Sequence, residues 1–194
     1  MNKPANKNSL LINLTKKDFL KEYNVPSCQK KYEGVKTCRG AINTDAPKIS
    51  TIISRYGRSS TSTYLETWLY NLADSINVKS DRNLTMEQIR EASTYIVEEY
   101  YDLNLAEITL VFKKIKKGEF GYHYEGLDMM KIMNFFRKYR EEKRIFYYEQ
   151  RKKQVANSPS VHERAKFLLK NIHKMPKLKE LYEEKGQSTR SSGK

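Results

Sequence analysis

Residues 104–126, NLAEITLVFKKIKKGEFGYHYEG, decide the fold. Asn104-Leu-Ala-Glu107 closely resembles a capping box, with Asn in place of Ser/Thr and Glu three residues on. Leu105, Ile108, Val111, Phe112 and Ile115 follow at helical spacing. The helix then runs into Lys113, Lys114, Lys116 and Lys117 and stops at Gly118. Beyond it lies an aromatic turn in which Gly118, Gly121 and Gly126 supply backbone freedom.

The same period continues on both sides. Thr85-Met-Glu-Gln88 is a second capping box, opening a helix through Ile89, Ala92, Ile96 and Tyr100. From Ser60 to Val78 an apolar stripe of Leu65, Trp68, Leu69, Leu72 and Ile76 places the only tryptophan in the core. Pro47 opens a helix that Gly57 ends, burying Ile49, Ile52 and Ile53. A short helix is predicted over Thr15–Tyr23, with Thr15 as N-cap and Asp18 in its first turn. Residues 24–46 hold turn formers and no period, and read as a long irregular segment. Downstream, Asp128 opens the longest helix, of about 25 residues, which ANSPS at 156–160 breaks. Ser160-Val-His-Glu163 caps a further helix with Ala165, Phe167, Leu168 and Ile172, and Pro176 begins a last short one. Sustained strand-type alternation is missing. The expected fold is all-α: a compact bundle of about six to eight helices with an irregular N-terminal segment. It divides into a flexible N-terminus (1–14), a helical domain (15–185) and a polar, disordered tail (186–194).

The 194 residues suffice for one domain, and with 14 tyrosines and 7 phenylalanines its core is largely aromatic. No apolar run approaches the roughly 18 residues needed to span a bilayer, and the first residues lack a signal-peptide pattern. The chain reads as cytoplasmic, with no membrane partner. Cys28 and Cys38 with three scattered histidines do not make a zinc set, so neither metal nor cofactor is expected. Both cysteines read as reduced thiols.

The net charge is +14, unevenly spread: residues 1–60 carry +8, 61–112 carry −6 and 113–194 carry +12. Two basic flanks around an acidic middle suit one face to a polyanion, unless the middle pairs with the flanks inside the fold. Four lysines among Lys113, Lys114, Lys116 and Lys117 exceed what the helix dipole needs at a C-terminus, and are candidate phosphate contacts. On the long helix, Arg137, Arg140, Arg144 and Arg151 fall within an arc of about 60° at about 100° per residue. Ile132, Phe136, Tyr139 and Phe146 take the neighbouring, core-facing arc. Such arginines either grip backbone phosphates bidentately or pair with Glu98 and Glu99. Phe120, Tyr122, His123 and Tyr124 either stack on bases or plug the end of the bundle.

Catalytic signatures are missing. His123 among Glu119, Glu125 and Asp128 makes at best a weak acid–base site. No phosphate loop, nucleophile elbow or H-E-x-x-H motif occurs, which removes ATPase, hydrolase and metalloprotease readings. No catalytic residue is expected.

Three pieces carry a resemblance: CRGAINTDAPKISTII at 38–53, LAEITLVFKKIKKGEFGYHYEGLD at 105–128 and FFRKYREEK at 135–143. With these, the segment from Cys38 to about Tyr147 resembles an uncharacterised family of small helical proteins from gut anaerobes (Bacteroidetes), their phages and mobile elements. That resemblance implies a shared fold. Helix order and the basic, aromatic helix end are also distantly similar to phage replicative-helicase loaders or inhibitors. The expectation is a non-enzymatic accessory protein of phage or mobile-element DNA metabolism, located in the host cytoplasm if phage-encoded. It would bind nucleic acid, chiefly DNA backbone, and have a replication or virion protein as a further partner. Lys113, Lys114, Lys116, Lys117, Arg137, Arg140, Arg144 and Arg151 would contact phosphates, with Tyr122 and Tyr124 stacking. The alternative is a structural protein, such as a virion component packed against acidic neighbours or packaged DNA.

Overall fold

The structure, a computed structural model, describes residues 14–76, 82–121, 126–156 and 161–171. Among these, nine helices and no named strand are present: α1 (Lys16–Glu22), α2 (Val25–Lys31), α3 (Cys38–Asn43), α4 (Ile49–Tyr56), α5 (Arg58–Ser75), α6 (Met86–Glu99), α7 (Leu105–Lys116), α8 (Met129–Ala156) and α9 (Val161–Asn171). The chain forms two units, Met1–Tyr147 and Tyr148–Lys194. The first holds α1 to α7 and α8 up to Tyr147; the second holds the end of α8 and α9.

The all-α class stands, but the expected irregular stretch at 24–46 is corrected. It contains α2 and α3, each with a proper start. The Asn24 side chain accepts from the Ser27 amide, with Pro26 in the first turn, and Thr37 accepts from the Gly40 amide. Helices of six or seven residues are too short to display an apolar period, so only their caps announce them. Elsewhere most caps act as read, although α4 starts from Lys48 as N-cap rather than from Pro47. Thr15 opens α1, Gly57 at φ 84° closes α4, and Asp128 accepts from the Lys131 amide at the start of α8. The helix and tail expected after Pro176, the Ser160 cap and residues 1–13 lie outside the described residues.

Helix α7 is the centre of the first unit, with nine of its twelve residues buried: Leu105 to Phe112 without interruption, and Ile115. Trp68 of α5 packs on Phe112, which meets Phe136 of α8 edge-on, and Phe136 in turn meets Tyr100. A second aromatic group, Phe19, Tyr23, Tyr56 and Tyr64, ties α1 to α4 and α5. There the Tyr64 hydroxyl donates to the Tyr23 carbonyl at 2.6 Å.

The N-terminus of α7 is also a backbone joint. The N-cap of α4, Lys48, offers no side-chain acceptor to the amides it leaves open. They donate instead to the chain just before α7: Ile49 to the Leu103 carbonyl and Ser50 to that of Tyr101, both at 2.8 Å. In return the Leu105 amide donates to Pro47, while Asn104 Nδ2 donates to the Ala41 carbonyl of α3. Three elements distant in sequence thus share one set of backbone partners.

After α7 the chain turns at Gly118 and Gly121 and enters α8 through Gly126, whose φ is +131°. A Cβ there would lie 2.7 Å from the Arg82 carbonyl oxygen, the acceptor of the Leu127 amide. Gly126→Ala therefore meets both backbone strain and a clash, and should lower unfolding free energy by about 1–3 kcal/mol or more. Gly34→Ala, with open space around its position, should stay within about 0.5 kcal/mol of the parent. Urea denaturation of the two variants checks the contrast.

Candidate anion-binding site

Helices α2 and α7 enclose an open cleft of about 300 Å³, lined by Gln29, Tyr32, Glu33, Thr109, Lys113, Lys116 and Lys117. Positions 113, 116 and 117 share one side of the last turn of α7 by helical geometry, so three lysines line the cleft together. Two are anchored. Lys113 Nζ donates to the Glu33 carbonyl at 2.8 Å, and Lys116 Nζ to Asn71 Oδ1 of α5 at 2.8 Å. Gln29 Nε2 donates to the same Asn71 oxygen at 3.2 Å. Burial pushes the Lys116 ammonium below its ordinary pKa, an effect that Asp74 opposes. Tyr32 is 3% exposed, and among the described residues its hydroxyl has no hydrogen-bond partner.

The remaining expected contacts are placed differently. Lys114 turns toward α8, where its ammonium meets both oxygens of Glu142 at 2.7 and 2.8 Å and lies over the Phe120 ring. Phe120 is buried and stacked on Phe135, and its carbonyl accepts from Lys138 Nζ, so this aromatic closes the end of the helices. Tyr122, His123 and Tyr124 lie outside the described residues. Arg137 is exposed and forms no ion pair among the described residues. Arg140 stacks on Tyr100 with 4.0 Å to the ring centroid, and donates to the Glu99 carbonyl at the end of α6. Its partner is thus the backbone of Glu99 rather than a carboxylate. Arg144 pairs with Glu141 at 2.7 Å in an exposed i,i+3 arrangement, and Arg151 is exposed in the second unit.

Sequence reasoning missed Lys143. The residue is 8% exposed, and its ammonium lies 3.0 Å from Glu107 Oε1 and 2.8 Å from Asp102 Oδ2. Glu107 is itself 2% exposed; its carboxylate accepts from the Asn104 amide at 3.0 Å and from the Tyr139 hydroxyl at 3.3 Å. The signal was spacing. Positions 132, 136, 139 and 143 form one helical stripe, and its last member is a lysine. Gln29, Tyr32 and Glu33 were missed because they sit in the stretch without visible period. Among the described residues, no three His, Cys, Asp or Glu side chains are grouped to hold a metal ion, and no helix is long and apolar enough to cross a membrane.

A family of unknown function, DUF6633, matches residues 83–180. The chain belongs to this family. The match begins just before α6 and takes in α7, α8 and α9, so the helix bearing the lysines and the partner that holds it are both DUF6633 elements. No curated protein and no solved structure matches the chain.

The buried cluster makes a prediction about pH. Burial, with the Glu107 charge beside it, holds the Tyr139 phenol well above its ordinary value of 10.0. Lys143 is raised from 10.5: burial lowers it, and its bonds to Asp102 and Glu107 more than offset that. Both groups keep their protons in the folded state when the unfolded chain releases them. Their contribution is complete below about pH 10 and is lost as pH rises further. Stability measured by denaturant unfolding should therefore decline above about pH 10, and Tyr139→Phe should make that decline shallower.

Proposed function

We propose that this DUF6633 protein is a non-enzymatic nucleic-acid-binding accessory protein of phage or mobile-element DNA metabolism, of the kind that assists a replicative helicase. The observation that carries the reading is the cleft that Lys113, Lys116 and Lys117 line together, with two of the three already anchored. Held cations lose less side-chain freedom when they meet a phosphate, which favours binding. Arg137, Arg144 and Arg151 add exposed guanidinium groups along α8. The Arg144–Glu141 pair is solvent-exposed and exchanges readily for a phosphate. The basic flanks supply long-range attraction. The resemblance to proteins of gut anaerobes, their phages and mobile elements gives the biological setting of the proposal.

A second reading, a structural or virion protein, is favoured by Ile145 and Tyr147, which stand about half exposed on α8 and suit a protein partner. Purification from the native source separates the two. A stable stoichiometric protein assembly with little affinity for free DNA supports the second.

The direct test is fluorescence anisotropy against single- and double-stranded DNA and RNA across a salt series. Affinity should fall roughly threefold per phosphate contact for a fourfold rise in salt. Charge reversal at the exposed positions, Arg137→Glu with Arg144→Glu, should weaken binding without lowering thermal stability appreciably. Absence of binding at low salt, or affinity untouched by the reversals and by Lys117→Glu, contradicts the reading.

A further inference from the structure

We infer that the α2–α7 cleft receives a single phosphomonoester dianion, the terminal phosphate of a nucleic-acid strand. This rests on the nucleic-acid reading above and names the part of the polymer that the cleft takes.

Size argues for one group. A cleft of about 300 Å³ stands at the lower end of ligand-pocket volumes, enough for a phosphate and its neighbouring atoms rather than a run of backbone. Charge argues for the monoester. Among the lining residues, Lys113, Lys116 and Lys117 stand with one acid, Glu33, a formal surplus of two positive charges, while Asp74 acts on Lys116 from outside the lining. A phosphomonoester carries about −1.5 to −2 at neutral pH, whereas a diester within the strand carries a single charge. The lining matches the former.

Donor supply argues the same way. Lys113 and Lys116 each give one N–H to a fixed acceptor, and each ammonium has others left. Burial of Lys116 disfavours its charged form, and an anion placed beside it reverses that penalty. A second cleft provides a comparison within the same molecule. At about 290 Å³ between α5 and α6, it is lined by Arg58 against Glu66 and Glu98, with hydroxyls from Ser59, Ser62, Thr63 and Thr94. Nearly equal in size and net negative, it would repel an anion.

The experiment compares a short single-stranded DNA oligonucleotide bearing a 5′-phosphate with the same strand ending in a 5′-hydroxyl, both labelled at the 3′ end. The phosphorylated strand should bind about tenfold more tightly, the scale of one added charge-assisted hydrogen bond. Lys113→Gln and Lys117→Gln should each abolish the preference, while Arg58→Gln in the second cleft keeps it. Equal affinity for the two strands overturns the inference and leaves backbone binding standing. A preference that survives both lysine substitutions also overturns it. Failure of either strand to bind removes both readings. A free nucleoside 5′-monophosphate is the remaining arm: weak displacement of the phosphorylated strand supports the strand end as ligand. Binding tighter than that of the strand reassigns the cleft to free nucleotides and overturns that choice.

Discussion

A carboxylate removed from water must be met by hydrogen bonds and a cation, and Glu107 meets both demands at the first turn of α7. Its oxygens receive the Asn104 amide, the Tyr139 hydroxyl and the Lys143 ammonium, and Lys143 reaches on to Asp102. Taking such ions out of water costs several kcal/mol each, so the pair is not in itself a source of stability. Its consequence is geometric. With Asn104 also bonded to α3 and the adjoining backbone bonded to the start of α4, the rotational setting of α7 is held at its N-terminus by three other segments, α3, α4 and α8.

That setting decides what happens at the opposite end of the helix. A rigid helix of twelve residues transmits its rotation, so fixing the first turn determines where the last one points. Lys114 is delivered to Glu142 and Phe120 of the bundle, while Lys113, Lys116 and Lys117 are delivered to the cleft beside α2. The same run of lysines thus divides into one structural member and three available ones. A comparable division occurs on α8, where Arg140 terminates α6 and Arg137 remains exposed. Net charge of a segment therefore overstates its capacity for a polyanion, and the count of unspent cations is the better guide.

The long helices were legible because they repeat an apolar period and carry side-chain caps. The capping boxes at Thr85 and Asn104 form as written, and Trp68 lies in the core stripe. Helices α2 and α3 were not legible, since each is under two full turns and presents only a cap. The lysines of the site could be read from their position at a helix end. Their cleft could not, because its opposite wall, Gln29 to Glu33, belongs to a segment with no visible pattern. Glu107 was readable as a capping residue, but its pairing with Lys143 joins positions 36 residues apart. A lysine within the run REEK reads as solvated surface until its place on the stripe of Phe136 and Tyr139 is noticed.

The claim that the buried pair sets α7 is tested most directly by a double-mutant cycle with Glu107→Gln and Lys143→Met, read by denaturant unfolding. Each single substitution leaves its partner unsatisfied and should cost about 3–5 kcal/mol. The double variant should cost clearly less than the sum of the two, with a coupling of about 2 kcal/mol or more. Costs that add to within about 0.5 kcal/mol would contradict the account, because they would mean that Glu107 and Lys143 do not depend on each other.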